Sequence, residues 1–345
     1  MSTVAPRLRF RDAQIEMAHG AGGKASRRLV EGLIAPLLLG PNAAELSDAA
    51  GVSVNGASLA MTADSFVVKP LRFPGGSIGE LAVNGTVNDL AVAAAKPEAL
   101  VVTYVIEAGL PTEELEAEVR AMAGAAARAG VAIVGGDTKV VEHGKADRMY
   151  ITTAGIGSPL PGVALSPRTV RPGDVVMVSG PVGDHGITIL LARGELEIEA
   201  TLASDTRSVF PFVEALAKAA APGLRWMRDP TRGGVATSLN ELARDARLAV
   251  VLREDSIPVR DPVRGACELL GLDPLHIANE GQFLAVVAPE YADAALDVIR
   301  RAGCHEAAII GEIREQPAAT VLGATAYGGT RVIDMLVGDP LPRIC

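Results

Sequence analysis

The sequence predicts an α/β protein (α+β in the way its helices and sheets pack) of two domains, closed by an extended C-terminal segment. Three observations predict it. Strand-like and helix-like stretches alternate along the chain between glycine-rich turns, so helices and sheets share each core. A stretch dense in proline and glycine, SPLPGVALSPRTVRPG at 158–173, interrupts the alternation, and the pattern restarts after it. With 345 residues and 49% hydrophobic content the chain has enough apolar side chains for two cores.

Taken in order, residues 1–41 form an N-terminal segment in which a glycine-rich loop, HGAGGK at 19–24, precedes a helix rich in arginine and leucine. Residues 42–158 form the first domain. Its clearest helix runs over 112–130: Pro111 and Thr112 open it, Glu113 and Glu114 suit the positive helix end, Leu115, Val119, Met122 and Ala126 line one face, and Gly130 stops it. A buried strand follows at 131–134. The linker spans 159–173 and the second domain 174–316, with a strand at 174–179 and helices over 187–193, 210–221 and 235–246. Residues 317–345 form the C-terminal segment. It ends in Pro340, Leu341, Pro342, Arg343, Ile344 and Cys345, where two prolines hold φ near −65° and favour an extended run. Nine residues at roughly 3.3 Å each reach about 25–30 Å, so a mobile tail can carry its terminal thiol across a domain face.

Composition excludes several classes. A balance of 32 Lys+Arg against 41 Asp+Glu gives a net charge of −9, which argues against a nucleic-acid surface. Cys267, Cys304 and Cys345 are too few and too scattered for a disulfide framework or a CxxC metal site, which fits a reducing cytoplasm. The N-terminus lacks an apolar stretch followed by a cleavage site, and no apolar run reaches the roughly 18 residues of a membrane span.

Five aspartates stand in turn-like settings of small residues: Asp48, Asp64 in MTADS, Asp89 in NGTVNDLAV, Asp137 in GGDTK and Asp229 in RDPTRGG. Hard ions such as Mg²⁺ take oxygen ligands and bridge carboxylates to nucleotide phosphates, so aspartates at strand ends suit an ATP site. Each alone is better explained as a capping or turn residue, and it is the set together that points to a metal and phosphate site. Asp48, in LSDAAGV, is as well explained by an ordinary turn. HGAGGK precedes a helix whose first N–H groups can hold phosphate, although it departs from the P-loop pattern; SGPVGDHG at 179–186 and TRGG at 231–234 also open helices and read equally as plain tight turns.

Taken in order, AHGAGGK at 18–24, ADS at 63–65, NGTVNDLAV at 84–92, IVGGDTKVV at 133–141, SGPVGDHG, RDPTRGG, HIANEG at 276–281 and the terminal PRIC resemble the HypE family of hydrogenase maturation proteins. That family is similar to aminoimidazole ribonucleotide synthetase, selenophosphate synthetase and thiamine-monophosphate kinase, and the match runs over nearly the whole chain from Ala18. The terminal PRIC sets the family apart, and the resemblance implies a functional Cys345. The resemblance implies an aminoimidazole ribonucleotide synthetase-like fold and a homodimer. It implies a carbamoyl group loaded on the Cys345 sulfur by the carbamoyltransferase HypF, then ATP-driven dehydration to a thiocyanate. Cyanide would pass to a HypC–HypD complex that builds the Fe(CN)₂CO unit.

The resemblance further implies Asp48, Asp64, Asp89, Asp137 and Asp229 as the Mg²⁺ and phosphate shell. Gly20, Gly22, Gly23, Lys24, Asn88, Gly135, Gly136, Thr138, Arg232, Gly233 and Gly234 are then expected around ATP. Lys24 is equally a solvated helix residue. A thiol of reference pKa about 8.5 beside a terminal carboxylate needs a cation to ionise. Lys139 is the first candidate, and Glu280 is the candidate base for the carbamoyl N–H protons. His143 and His276 lie near these motifs and remain possible. Cys267, Cys304 and Trp226 read as core residues. Residues 1–16 have no assigned role. Rival readings are a small-molecule kinase or a selenophosphate synthetase, against which no cysteine precedes the first glycine loop, or a noncatalytic scaffold for iron that uses Cys345 as a ligand.

Overall fold

A five-stranded sheet with one covered and one open face organises the first half of the protein. The computed structural model describes residues 9–39, 46–194, 201–325, 328–338 and 341–345; the expected division at 41/42 and the tail residue Pro340 lie outside them. After α1 (Gly23–Leu29), a π-helical stretch (Val30–Ile34) and α2 (Ala35–Leu38) come β1 (Ala50–Val54), β2 (Ala57–Phe66) and the short ribbon β3 (Arg72–Phe73) and β4 (Gly76–Ser77). Then follow α3 (Ile78–Val92), β5 (Ala95–Glu107), α4 (Thr112–Ala129), β6 (Ala132–Val141) and β7 (Met149–Pro159). The order in the sheet is β1-β2-β7-β5-β6, antiparallel except for the β5/β6 pair.

Side-chain alternation follows the two-residue strand period. Phe66, Leu100, Val102 and Ile151 point to the covered face and join the core under α3 and α4. Val52, Val54, Met61, Val101 and Ile156 alternate to the other side and are 39–48% exposed. Helix α3 is apolar on all sides because it is covered on all sides, by the sheet, by α4 and by elements of the second domain. Helix α4 runs as its caps predict and ends where Gly130 turns left-handed at φ 66°. The strand expected to be buried at 131–134 is instead an exposed edge strand that continues to Val141, because β6 keeps pairing with β5 through its glycines and polar residues. Being an edge strand, it tolerates them.

In the second half come β8 (Val175–Val178), α5 (Asp184–Ala192), α6 (Phe210–Ala220), β9 (Leu224–Arg228), α7 (Gly234–Ala246), β10 (Ala249–Arg253), α8 (Asp261–Leu270), β11 (Leu284–Val287), α9 (Ala292–Ala302), β12 (Ala308–Arg314), β13 (Thr320–Ala324) and β14 (Thr330–Val332). They build a seven-stranded mixed sheet, β14-β13-β10-β12-β8-β11-β9. Its central strands read VVMV and LAVV without alternation because both faces are buried. Trp226 packs in this core, as its isolation in the sequence suggested. Among the described residues no helix is long and apolar enough to cross a membrane.

Candidate active site

Three of the five aspartates converge. One carboxylate oxygen each from Asp48, Asp89 and Asp229 lies within 4.8 Å of the other two. Asp48 precedes β1, Asp89 is on α3 and Asp229 follows β9, so both halves of the protein contribute. Arg228 holds Asp48 at 2.5 Å and Glu241 at 3.0 Å, and Thr62 donates to Asp89 at 2.8 Å. Burial, followed by repulsion from Asp229, Asp48 and Asp64, pushes the Asp89 carboxyl well above the usual range. Burial and the nearby Asp48 push Asp229 up to about 8. Crowded carboxylates that resist ionisation are what a hard divalent cation relieves, so this oxygen set fits Mg²⁺. Asp64 lies alongside and adds to the repulsion felt by all three.

Glu280 lies next to this cluster. It is 3% exposed, and burial, then Asp229, Asp64 and Asp205, push its pKa well up. Its Oε1 has no hydrogen-bond partner among the described residues. The loop that presents it is stitched to two other glycine motifs by Asn279, which donates to the Pro230 carbonyl at 2.9 Å and accepts from the Gly183 N–H at 2.8 Å. RDPTRGG, SGPVGDHG and HIANEG therefore meet at one buried amide. Asn88 has a similar job: it donates to the carbonyls of Arg207 (3.0 Å) and Glu280 (3.1 Å) and accepts from the Val209 N–H (2.8 Å). Expected beside the nucleotide, its amide instead ties α3 to the Glu280 loop.

The glycine loops pack against protein as well as facing outward. Arg232 donates to the Gly20 carbonyl at 3.0 Å, and Gly23 approaches the chain so closely that a Cβ there would stand 2.4 Å from the Leu336 carbonyl oxygen. Lys24 forms a partly exposed ion pair with Asp334 at 2.5 Å. Gly233 caps α7, and Gly234 has φ 62° with a Cβ position 2.5 Å from the Leu275 carbonyl oxygen, so only glycine fits. Arg232 draws the Glu280 pKa back down, which places its charge near that carboxyl.

Asp137 does not join the cluster. It lies on β6, at the opposite edge of the sheet from β1, pairs in register with Thr103 of β5 and shares the open face with Val101. Lys139 stands two residues on, paired with Asp137 at 2.5 Å and 65% exposed. This ammonium and the N–H of Thr138 hold the Asp137 carboxyl below its ordinary value. Gly135, Gly136, Asp137 and Thr138 edge a groove of about 550 Å³ between β6 and α4, floored by Val102, Tyr104, Met122 and Ile133. Within one chain, then, the β6 residues and the acidic cluster occupy opposite edges of the sheet. His143 sits beside Glu107 at the surface and His276 bonds the Asp334 carbonyl.

Cys345 is not at a frayed end. It is 7% exposed, and residues Leu341 and Ile344 are buried in the core that contains Phe66, Ile187 and Ile277. The Val67 N–H donates to the Cys345 carbonyl at 2.9 Å, and Arg343 pairs with Asp147 at 2.7 Å.

Residues 46–158 match the N-terminal domain of AIR synthase related proteins, and residues 171–323 match the C-terminal domain of that family. The chain is 46% identical over 340 residues to carbamoyl dehydratase HypE of Azotobacter vinelandii, covering 98% of this chain and 99% of that one. A crystal structure of HypE in complex with ATP is similar at TM-score 0.80 and 43% identity, over 95% of this chain and 99% of that one. A HypE–HypF complex aligns at TM-score 0.83 and 41% identity, over 89% and 99%. The chain belongs to the HypE family of carbamoyl dehydratases.

Within this HypE-family protein, four residues that sequence reasoning passed over help build the site: Arg228, Asn279, Asp205 and His185. Asp205 accepts from the Glu280 N–H at 3.0 Å, and burial pushes its carboxyl up to about 6. Arg228 and Asn279 each adjoin a motif residue, Asp229 and Glu280, and that adjacency was the available signal. Cys267 and Cys304 are buried, and burial pushes the Cys267 thiol up to about 11, in keeping with core roles.

Proposed function

We propose that the chain dehydrates a carbamoyl group carried on its own Cys345, using ATP and Mg²⁺, to give a thiocyanate that supplies cyanide ligands for an iron centre. The observation that carries this reading is the seat of the terminal thiol inside the fold, in a chain that also gathers three carboxylates. In the balanced reaction, the thiocarboxamide oxygen takes the γ-phosphoryl group of ATP and ADP leaves. The C–O bond then breaks with release of phosphate, and both N–H protons are lost as the C≡N bond forms.

The chain's own groups divide the work. Asp48, Asp89 and Asp229, with Asp64 beside them, would hold Mg²⁺, which when bound neutralises charge on the transferring phosphoryl group. Glu280, buried beside the cluster with one carboxylate oxygen unpartnered among the described residues, is the group placed to take an N–H proton. Arg232, Gly233 and Gly234 lie at the start of α7 for phosphate contact, and the groove beside Gly135, Gly136 and Thr138 suits a nucleobase.

Asp137, Thr138 and Lys139 enter through a second copy of the chain. An open sheet face bearing Val52, Val54, Met61, Val101 and Ile156 is supported best as a homodimer surface. A two-fold axis across that face sets β6 of one protomer near β1 of its partner, and so brings Asp137 and Lys139 toward the partner's acidic cluster. The buried Cys345 must leave its seat to be loaded by a carbamoyltransferase of the HypF type, and again to deliver cyanide to a HypC–HypD acceptor. The deciding experiment is intact-mass analysis after incubation with HypF, carbamoyl donor and ATP. The wild-type chain is expected to gain the carbamoyl adduct and then lose water. Cys345→Ala should bind ATP and remain folded yet gain no adduct, and an adduct on that variant would overturn the carrier reading.

A further inference from the structure

The last four carbonyl groups of the tail all accept hydrogen bonds. Arg193 donates to Pro342 (2.6 Å) and Arg343 (2.7 Å), His185 to Ile344 (2.6 Å), and the Val67 N–H to Cys345 (2.9 Å). Recognition of the backbone, with Leu341 and Ile344 as buried apolar anchors, fixes how far the chain end reaches. His185 is the one donor of this set buried at 0% exposure. It sits on α5, with its ring edge-on to Phe73 at 5.6 Å between centroids.

The hydrogen-bond chain fixes its tautomer. A carbonyl only accepts, so Nε2 carries the proton, and Nδ1 then accepts from the Ser204 hydroxyl at 2.8 Å. The donor therefore points at the peptide one residue before the reactive thiol, held from behind by Ser204. Resting on the carrier reading above, we propose that His185, oriented by Ser204, is the positioning residue that seats Cys345 for dehydration and releases it for loading. An unpaired carbonyl in this buried seat is worth about a ten- to hundredfold change in the docked population. The same bond is broken each time the thiol leaves, together with those that Arg193 makes to the Pro342 and Arg343 carbonyls.

The test uses the full-length protein. His185→Phe keeps the ring and removes the donor, whereas His185→Gln keeps an amide donor at similar reach. Cys345 alkylation by a small maleimide is followed on the C-terminal peptide by mass spectrometry, alongside thermal melting and single-turnover dehydration of the carbamoylated protein. His185→Phe is expected to raise the alkylation rate about tenfold or more and slow dehydration to match, with loading by HypF kept; His185→Gln should restore both. Ser204→Ala, which leaves the ring in place but free to change tautomer, should give a smaller rise and keeps the test valid if the Phe variant does not fold. A folded His185→Phe that is alkylated and dehydrated at wild-type rates would overturn the proposal, as would a Gln variant no better than Phe. Alkylation requires no ATP chemistry, so a wild-type chain that is never carbamoylated would sink the carrier reading while leaving the seat measurable.

Discussion

Asp89→Asn should make the metal-free protein more stable and the enzyme inactive in its second step. The oxygens of Asp48, Asp89 and Asp229 lie within 4.8 Å of one another, and two unit charges at that distance repel by about 3–4 kcal/mol at an effective dielectric of about 20. The metal-free cluster escapes part of this by holding protons, as the raised Asp89 and Asp229 carboxyls indicate. An aspartate whose native pKa lies above its unfolded value of about 3.9 contributes its full stability below that value, and loses it as pH rises through the native one. The asparagine, which can still accept from Thr62, is free of this loss. Its advantage over wild type should be small at pH 5 and reach about 2–3 kcal/mol at pH 8 in EDTA, roughly 3–4 °C in melting temperature. Adding Mg²⁺ and ATP should raise the wild-type melting temperature by mass action and leave the variant nearly unmoved. Incubated with HypF, carbamoyl donor and ATP, the variant should accumulate the Cys345 adduct without losing water. A variant that melts below wild type in EDTA at pH 8, or keeps the full ligand-induced shift, or dehydrates its adduct at the wild-type rate, would refute the reasoning.

Deleting Leu341 and Pro342 shortens the tail by about 7 Å and removes a buried anchor, so dehydration should fall sharply although Cys345 remains; near-normal thiocyanate formation would mean the tail has slack. The shared site is tested by mixing two inactive variants, Asp89→Asn and Asp137→Asn. If β6 of one protomer completes the partner's cluster, each mixed dimer holds one intact site and random exchange restores about a quarter of wild-type activity. No recovery despite exchange, shown by differently tagged subunits, would place the whole site in one chain.

How much of this was legible depends on how local the cause is. Helix α4 and its stop at Gly130 follow from neighbouring residues, and the sequence reading placed both within a residue of the structure. Asp48 was ambiguous because its role is decided by Arg228, 180 positions away, which no local context reveals. Lys24 reads alike as a phosphate ligand or a surface residue until Asp334 arrives beside it. The tail's extended character could be read from its prolines, but its seat could not, since that seat is assembled from Val67, His185 and Arg193.

The separation of Asp64 from Asp137 was, in contrast, within reach of the sequence. Both lie in similar small-residue motifs, and grouping them by motif put them in one shell. Strand parity divides them. Asp64 shares its side of β2 with Thr62 and Phe66, both buried, and Thr62 bonds Asp89. Asp137 pairs with Thr103, two residues from Val101 on the open face, at the far edge of the same sheet. A two-residue period and an uncovered apolar face together leave Asp137 and Lys139 facing away from the acidic cluster of their own chain. In a chain that cannot fold its sheet back on itself, a second sheet is the direct way to join the two edges. If Asp137 and Lys139 act with the cluster as proposed, the dimer follows from the same alternation that forms the strands.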